Sequence, residues 1–239
     1  MNAVLSLMVQ SVTDSVRTSL RVPFLLSRLN KGSHSEFSSS TNTAETVIDP
    51  EMRHFMIVGL GNHGMDGTRH NVGMMAVDRL AARLQLDWQK SVGHHGGFIC
   101  STVLKSGSQP FKVTLLKPKT FMNISGTSVA KAVKALSVAL QDIYLVHDEL
   151  DRNLGKFHIK ERGSAGGHNG VLSCISCLGS DEILRLRIGI SRPACKSEII
   201  TYVLSKFSDQ ELAVVGVTID QAIDALLRHM ENRLSETVT

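Results

Sequence analysis

The 239-residue sequence lacks the long apolar runs and the dense cysteines that mark membrane-spanning and disulfide-built proteins. Its longest apolar runs, such as 3–9 and 212–217, are far shorter than the roughly 18 residues that a membrane-spanning helix needs. Its four cysteines are too few and too scattered for the disulfide framework of a small secreted domain. We therefore expect a soluble protein without a membrane span, in a reducing compartment. The sequence also has no internal repeat.

Cys174 and Cys177 form a C-x-x-C pair in an apolar stretch. No second pair accompanies them to complete a zinc site of the usual kind. We interpret them as two small apolar residues on one face of a helix, because unpaired cysteine is commonly buried.

Length and charge set the broad class of protein. A chain of 239 residues that is 42% hydrophobic can bury one full core, so we expect a single domain. The formal net charge of +4 is a mild excess that suits an anionic partner without requiring one.

Residues 1–50 differ in composition from the rest of the chain. The segment 33–46 is rich in Ser, Thr, Asn, His and Glu and has little to bury, as in a disordered linker. Ahead of it, basic residues alternate with apolar ones, and Asp14 is the only acidic residue before Glu36. This pattern fits an organellar transit peptide or an ordinary disordered extension, and hence a mitochondrial or a cytoplasmic protein. We predict such an extension over 1–50 and a folded domain over 51–235.

From residue 53 onward the sequence alternates between strand and helix periods. The apolar run 55–60 predicts a buried strand, and 72–84 carries apolar residues at helical spacing. Further strands are predicted over 97–104, 111–116, 142–147, 155–160 and 183–190, and further helices over 125–136, over 170–178 and from Ser208, where Glu211 would close a capping box. Strands interleaved with helices predict an α/β fold: a single domain with a twisted mixed sheet flanked by helices on both faces.

Three glycines follow the first predicted strand with the spacing G-x-G-x-x-G, which occurs in dinucleotide-binding folds. In those folds the helix begins within the glycines, whereas the polar segment 65–71 intervenes here. Those folds also have an acidic residue about 20 positions later, at the end of a second strand. The candidate here is Asp78, which lies in a predicted helix instead. We therefore interpret 59–71 as a polar loop at the C-terminal end of a strand. Its candidate functional side chains are Asn62, Thr68, Arg69, His70 and Asn71.

Three more polar clusters lie next to predicted elements, and each has two interpretations. Asp148 follows a strand and is either part of a solvated acidic turn or a carboxylate that orients an imidazole. Asn123 is either a helix cap or an amide donor for a developing oxyanion. His168 and Asn169 end the glycine-rich segment 163–170, which is either a flexible loop or a close approach to a ligand.

Six segments complete the pattern: Gly59-Leu-Gly-Asn62, Thr68-Arg-His-Asn71, Phe121-Met-Asn-Ile-Ser-Gly126, His147-Asp-Glu-Leu-Asp151, Gly166-Gly-His-Asn-Gly170 and Leu186-Arg-Ile-Gly-Ile190. These segments occur in the order found in the bacterial-type peptidyl-tRNA hydrolase family. The sequence therefore resembles that family over about 55–227, as an animal member with an N-terminal extension. The resemblance implies a monomeric α/β fold that needs no metal and no cofactor. It implies hydrolysis of the ester between a peptide and the 3′-terminal ribose of tRNA, which recycles tRNA from dropped-off or stalled translation, with stalled ribosomal complexes as further partners.

The resemblance also implies roles for the matching residues. His70 is expected to be the catalytic base and Asp148 the carboxylate that orients it. Asn62 and Asn123 are expected to hold the peptide and to place its ester carbonyl. The expected substrate and tRNA contacts are Asn169 and Asn71 near the substrate, Met122 in the peptide channel, His168 in the binding groove, and Lys160 and Arg187 on the tRNA backbone.

The chain departs from the family pattern at two places. His63 stands where bacterial members usually have Pro, in a loop two residues shorter that lacks their Tyr. Where the family often has a His-Gly-Gly-His run, this chain reads Ser164-Ala-Gly-Gly-His168. Neither change removes the expected base, its carboxylate or the asparagines. The alternative is a catalytically weak tRNA- or ribosome-binding module of the same fold, which the presence of every expected catalytic residue disfavours.

Overall fold

The structure of the protein is a computed structural model that describes residues 52–90 and 96–235. The predicted extension over 1–50, with its transit-peptide alternative, lies outside the described residues. The strands are β1 (His54–Gly59), β2 (Gln89–Lys90), β3 (Gly97–Ser106), β4 (Gln109–Pro118), β5 (Ile143–Glu149), β6 (Phe157–Lys160) and β7 (Leu184–Gly189). The helices are α1 (Val72–Arg83), α2 (Ser125–Leu136), α3 (Asn169–Leu178), α4 (Ile199–Leu204) and α5 (Asp209–Ser235). Within the described ranges, none of these helices has the length and apolar character to cross a membrane.

The strands form one mixed sheet in the order β2-β3-β4-β1-β5-β7-β6. The central strands β4, β1, β5 and β7 run parallel to one another, while β3 and β6 are antiparallel to their neighbours. Parallel strands end at the same edge of a sheet, and open α/β sheets bind ligands at that edge. The residues that follow β1 and β5 therefore lie side by side.

Helices cover both faces of the sheet, as β1 shows. Phe55 and Ile57 point into the core that contains α1 and α5, whereas Met56 and Val58 point into the core that contains α2 and α3. A strand that is buried on both faces reads as a continuous apolar run, which is the pattern in its sequence. The predicted α/β fold with a mixed sheet between two helical layers is confirmed.

Most predicted elements are confirmed, with shifts of one or two residues at their ends. The predicted capping box is present, because the main-chain N–H of Ser208 donates to Glu211 and the main-chain N–H of Glu211 donates to the Ser208 hydroxyl. Two short elements, β2 and α4, were not predicted. Cys174 and Cys177 both lie on α3, as expected, but only Cys174 is buried, whereas Cys177 is exposed.

Two glycines, Gly59 at the end of β1 and Gly73 in α1, allow close packing of the helix on the sheet. Helix α1 begins at Val72, beyond the glycines, which excludes the dinucleotide-binding geometry. A Cβ atom on Gly59 would lie 2.6 Å from the carbonyl oxygen of Gly73, and one on Gly73 would lie 2.1 Å from that of Val146. Glycine at both positions lets the start of α1 rest directly on β1 and β5. This contact places the preceding turn, Arg69–Asn71, over the end of β5.

Candidate active site

A cavity of about 700 Å³ opens at the sheet edge where β1 and β5 end. Seven of the ten predicted site residues line it: Asn62, His70, Met122, Asn123, Asp148, His168 and Asn169. These side chains come from the loop after β1, the turn before α2, the end of β5 and the start of α3. The fold thus brings together segments that lie up to about a hundred residues apart in the chain. The other three, Asn71, Lys160 and Arg187, lie outside the lining.

His70 and Asp148 form a hydrogen-bonded pair in this cavity. The distance between His70 Nδ1 and Asp148 Oδ1 is 2.8 Å. Because a carboxylate only accepts, His70 Nδ1 carries the proton and its Nε2 has a free lone pair. Burial alone would raise the pKa of the Asp148 carboxyl, but the interactions with His168 and His70 outweigh it and hold that pKa well below its usual range. An ionised carboxylate therefore orients the His70 ring with Nε2 directed away from it, which is the arrangement of a general base.

A second imidazole, that of His168, shares the same carboxylate oxygen. His168 Nε2 lies 2.9 Å from Asp148 Oδ1, and its ring centroid is 4.9 Å from that of His70. On its other side, His168 Nδ1 accepts hydrogen bonds from the main-chain N–H groups of Gly170 and Val171, and so caps α3. The chain turns into this position through two glycines with positive φ, Gly166 and Gly167.

A third imidazole, His147, is buried beside the pair. Its Nδ1 donates to the main-chain carbonyl of Asp148, and its ring centroid lies 4.7 Å from that of His168. Burial, followed by the neighbouring His168, lowers the pKa of His147 to about 3. His147 is therefore a neutral group at physiological pH.

The arrangement of these groups does not fit a metal ion, although His70, Asp148 and His168 each place one ligand atom within 4.8 Å of the others. Both imidazole nitrogens that face the carboxylate carry protons in the observed hydrogen bonds. If His168 bound a metal through Nε2, its proton would move to Nδ1, where two main-chain N–H groups already point at that atom. Metal binding would break the cap of α3.

Asn62 is held so that its amide NH₂ group is left for a ligand. Its side-chain oxygen accepts the main-chain N–H of Met122 at 2.7 Å. The side chain of Asn71 clamps the main chain of Asn62, because Oδ1 accepts its N–H at 2.7 Å and Nδ2 donates to its carbonyl at 2.8 Å. Asn71 is 1% exposed, so the structure gives it a supporting position rather than the substrate contact expected from the sequence.

Asn123 and Asn169 face the cavity without such restraint. Both are exposed, and within the described part of the chain neither side chain has a hydrogen-bonding partner. Together with Asn62 they offer neutral amide donors around the free nitrogen of His70. Neutral donors can stabilise a developing oxyanion without competing for the proton.

Comparison with known proteins agrees with this geometry. The sequence model of the family described as "Peptidyl-tRNA hydrolase" matches residues 56–239. A probable peptidyl-tRNA hydrolase of Mus musculus is 41% identical over 183 residues, which are 76% of this chain and 87% of the mouse protein. A peptidyl-tRNA hydrolase of Bacillus cereus (strain Q1) is 43% identical over 175 residues, which are 71% of this chain and 89% of the bacterial protein. The chain belongs to the peptidyl-tRNA hydrolase family.

A solved structure of this family has the same fold. The crystal structure of peptidyl-tRNA hydrolase from Acinetobacter baumannii matches with a TM-score of 0.70 and 31% identity, over 79% of this chain and 94% of that one.

This member of the peptidyl-tRNA hydrolase family has an apolar wall beside His70. It consists of Ile199, Ile200, Val203 and Leu204 on α4, which line the cavity together with Phe121, Met122 and Leu150. Ile200 is 73% exposed and Phe121 is 67% exposed, so the wall offers apolar surface to a ligand. Our sequence interpretation missed α4. The signal was present, because 199–204 is a short apolar run, but nothing in it showed that the run faces the site.

The two basic residues expected to contact tRNA lie on neighbouring strands, Lys160 on β6 and Arg187 on β7. Arg187 Nη1 donates to Glu149 Oε2 at 2.6 Å, and Glu149 lines the cavity. His158 pairs with Arg187 across the two strands. Burial, followed by the charges of Arg152, Arg187 and Lys160, lowers the pKa of His158. Fixed cations of this kind are what a phosphate backbone binds.

Proposed function

We propose that the protein hydrolyses peptidyl-tRNA at the ester that joins the peptide to the 3′-terminal ribose, with His70 as the general base. The observation that carries this proposal is the His70–Asp148 pair inside a cavity that also holds oriented amide donors. Membership of the family supplies the substrate class.

The reaction begins when a water molecule attacks the ester carbon and His70 Nε2 takes its proton. The resulting imidazolium keeps its Nδ1–H bond to Asp148, whose negative charge stabilises it. The tetrahedral intermediate then collapses and the bond to the ribose oxygen breaks. His70 returns the proton to that oxygen, which leaves a free peptide carboxyl group and a tRNA with a free hydroxyl group.

The amide side chains stabilise the negative charge on the former carbonyl oxygen. Asn62 is the best oriented of them, because the hydrogen bond from Met122 to its oxygen turns its NH₂ group away from the protein. Loss of one such donor typically lowers the rate constant by about 10²- to 10³-fold. Asn123 and Asn169, which also line the cavity, add two further donors.

The two surfaces next to the cavity suit the two halves of the substrate. The apolar wall on α4 is proposed to hold the peptide side chains, since exposed apolar surface gains from contact with them. The cationic surface of Lys160 and Arg187 is proposed to hold the tRNA backbone. Affinity for tRNA should then fall steeply with salt.

The test is single-turnover release of an N-acetyl-aminoacyl group from tRNA. The wild type should release it, and His70→Ala should lower the rate by about 10²- to 10⁴-fold while its melting temperature stays near that of the wild type. Retained activity in His70→Ala would refute the assigned base. If the folded wild type bound tRNA without hydrolysis, the alternative of a tRNA- or ribosome-binding module would hold instead.

We also propose that the protein is a monomer that recycles tRNA from dropped-off or stalled translation, including stalled ribosomal complexes, in the mitochondrion rather than the cytoplasm. The basic residues that alternate with apolar ones before position 33 support the mitochondrial location.

Fractionation of cells that express the full chain with a C-terminal tag tests the location. Sedimentation analysis tests the monomer, and a cytosolic tagged protein or a dimer would contradict the respective proposal.

A further inference from the structure

One carboxylate oxygen serves two imidazoles in this site. Asp148 Oδ1 accepts from His70 Nδ1 at 2.8 Å and from His168 Nε2 at 2.9 Å. The Asp148 side chain is 2% exposed, so protein groups rather than bulk solvent determine how its charge is shared. A group that donates to this oxygen therefore affects how strongly the oxygen can hold the other donor.

The proton of His168 has a fixed position. Its Nδ1 lies 3.1 Å and 3.2 Å from the main-chain nitrogens of Gly170 and Val171, which can only donate. Nδ1 must therefore be unprotonated, and the single proton of the neutral ring is on Nε2 and points at Asp148. A second proton on this ring would place an N–H against two other N–H groups, at the positive end of the dipole of α3. His168 thus donates to Asp148 through Nε2, and the lone pair of its Nδ1 is already occupied by two main-chain N–H groups.

The other titratable and charged groups near the pair leave this arrangement in place. From β5, His147 packs against His168, and burial keeps it neutral, with a pKa of about 3. Also from β5, Glu149 is engaged by Arg187 of β7. The guanidinium of Arg185, on β7, donates to the main-chain carbonyls of Gly163 and Ser164 in the glycine-rich segment. His70 lies in the turn before α1, and it is the group that changes its charge during the proposed reaction.

We propose that His168 is a positioning residue which, by donating to Asp148 Oδ1, limits how strongly that carboxylate stabilises the protonated form of His70. The hydrogen bond from His168 takes up part of the charge on the oxygen. Without it, Asp148 would hold the imidazolium of His70 more tightly, and His70 would remain protonated up to a higher pH. The inference rests on the proposed function, because it concerns the base of that reaction.

Two substitutions separate the two hydrogen-bonding ends of His168. In His168→Asn, the amide oxygen can take the place of Nδ1 and cap α3, since Asn is a preferred capping residue, but the side chain is too short to reach Asp148. In His168→Gln, the amide nitrogen can take the place of Nε2 and donate to Asp148, but the cap is weakened. One variant therefore removes the donor and the other removes the cap.

The experiment measures the pH dependence of kcat/KM for N-acetyl-aminoacyl-tRNA with the wild type and both variants. In His168→Asn, the midpoint of the acidic limb should move to higher pH, by about 0.5 to 1 unit for the loss of one hydrogen bond to a charged group. In His168→Gln it should stay near the wild-type midpoint, although the melting temperature falls. An unchanged midpoint in His168→Asn, or an equal shift in both variants, would overturn the proposal, because a purely structural role predicts no such difference.

Nuclear magnetic resonance of the ring nitrogens tests the same inference without substrate. In the wild type, the neutral ring of His168 should show an unprotonated Nδ1 and a protonated Nε2. The titration of His70 should shift upward in His168→Asn. A neutral His168 that carries its proton on Nδ1 would overturn the proposal even if the variants failed to fold. A wild type without hydrolase activity would instead refute the proposed function, and the titrations would still decide the inference.

Discussion

The contact between Arg69 and Glu211 ties the turn that carries His70 to the last helix, and we expect it to contribute measurably to stability. Arg69 Nη2 lies 2.6 Å and 2.7 Å from the two carboxylate oxygens of Glu211, and its guanidinium packs over the rings of Tyr202 and Phe207. Its Nη1 also donates to the hydroxyl of Ser205 and to a main-chain carbonyl. The side chain of Arg69 is 9% exposed and that of Glu211 is 27% exposed.

The substitution Glu211→Gln isolates the charge of this pair, because Gln can still close the capping box with Ser208. Removing one partner from a buried ion pair costs about 3–5 kcal/mol. Glu211 is partly exposed, and Arg69 keeps its bonds to Ser205 and Lys206, so we expect a loss of about 2 kcal/mol. For a domain of this size, that loss lowers the melting temperature by about 4–8 °C.

The matched control is Asp220→Asn on the same helix. Asp220 pairs with Arg79, but their side chains are 43% and 61% exposed, so this exposed pair should contribute less than about 1 kcal/mol. Thermal unfolding followed by circular dichroism at neutral pH compares the two variants. If Glu211→Gln melts no lower than Asp220→Asn, the reasoning from burial is refuted.

The difference between the wild type and Glu211→Gln should also depend on pH. Burial would raise the pKa of Glu211, but hydrogen bonds from Ser208 and the pairing with Arg69 outweigh it and lower the pKa below its usual range. A lowered folded-state pKa contributes stability above the unfolded-state value, about 4.3, and that stability is lost as the pH falls through the folded-state value. The gap in melting temperature should therefore shrink in acid, and a gap that is constant down to about pH 3 would contradict this assignment.

Three further predictions follow from the site and from its support. Asp148→Asn should lower the single-turnover rate by about 10²- to 10⁴-fold, because the imidazolium of His70 loses its counter-charge; a rate within a few-fold of the wild type would refute the pairing. Lys160→Gln should reduce the slope of log affinity for tRNA against log salt by about 1 in filter-binding titrations, and an unchanged slope would remove Lys160 from the tRNA surface. Gly73→Ala should destabilise the fold by at least about 1–3 kcal/mol in chemical denaturation, because its Cβ would lie 2.1 Å from a β5 carbonyl oxygen. The control Gly216→Ala, with open space around the new Cβ, should be neutral or stabilising, and an equal loss in both would contradict the packing argument.

The sequence by itself determined the class of fold, and it predicted the two residues that form the hydrogen-bonded pair in the cavity. The apolar run of β1 and the helical spacing of α1 are local patterns. Each can be recognised within its own segment, whatever the rest of the chain contains. The order of the six motifs, which include His70 and Asp148, then indicated one family. Both residues lie in the cavity, and the distance between them is that of a hydrogen bond.

Tertiary structure alone decided what the supporting residues do. Asn71 stands beside His70 in the sequence, but packing turns its side chain away from the cavity and onto the main chain of Asn62. Helix α4 has too few residues for a clear helical period, and its place beside the site depends on contacts with the turn around Arg69. Sharing of Asp148 Oδ1 by two imidazoles depends on distances between β5 and the start of α3, and no local pattern contains such distances. Sequence periodicity records which face of an element is buried, and local spacing can reveal a cap such as Ser208–Glu211, whereas a polar side chain that bonds to a distant segment gains its partner only when the elements pack together.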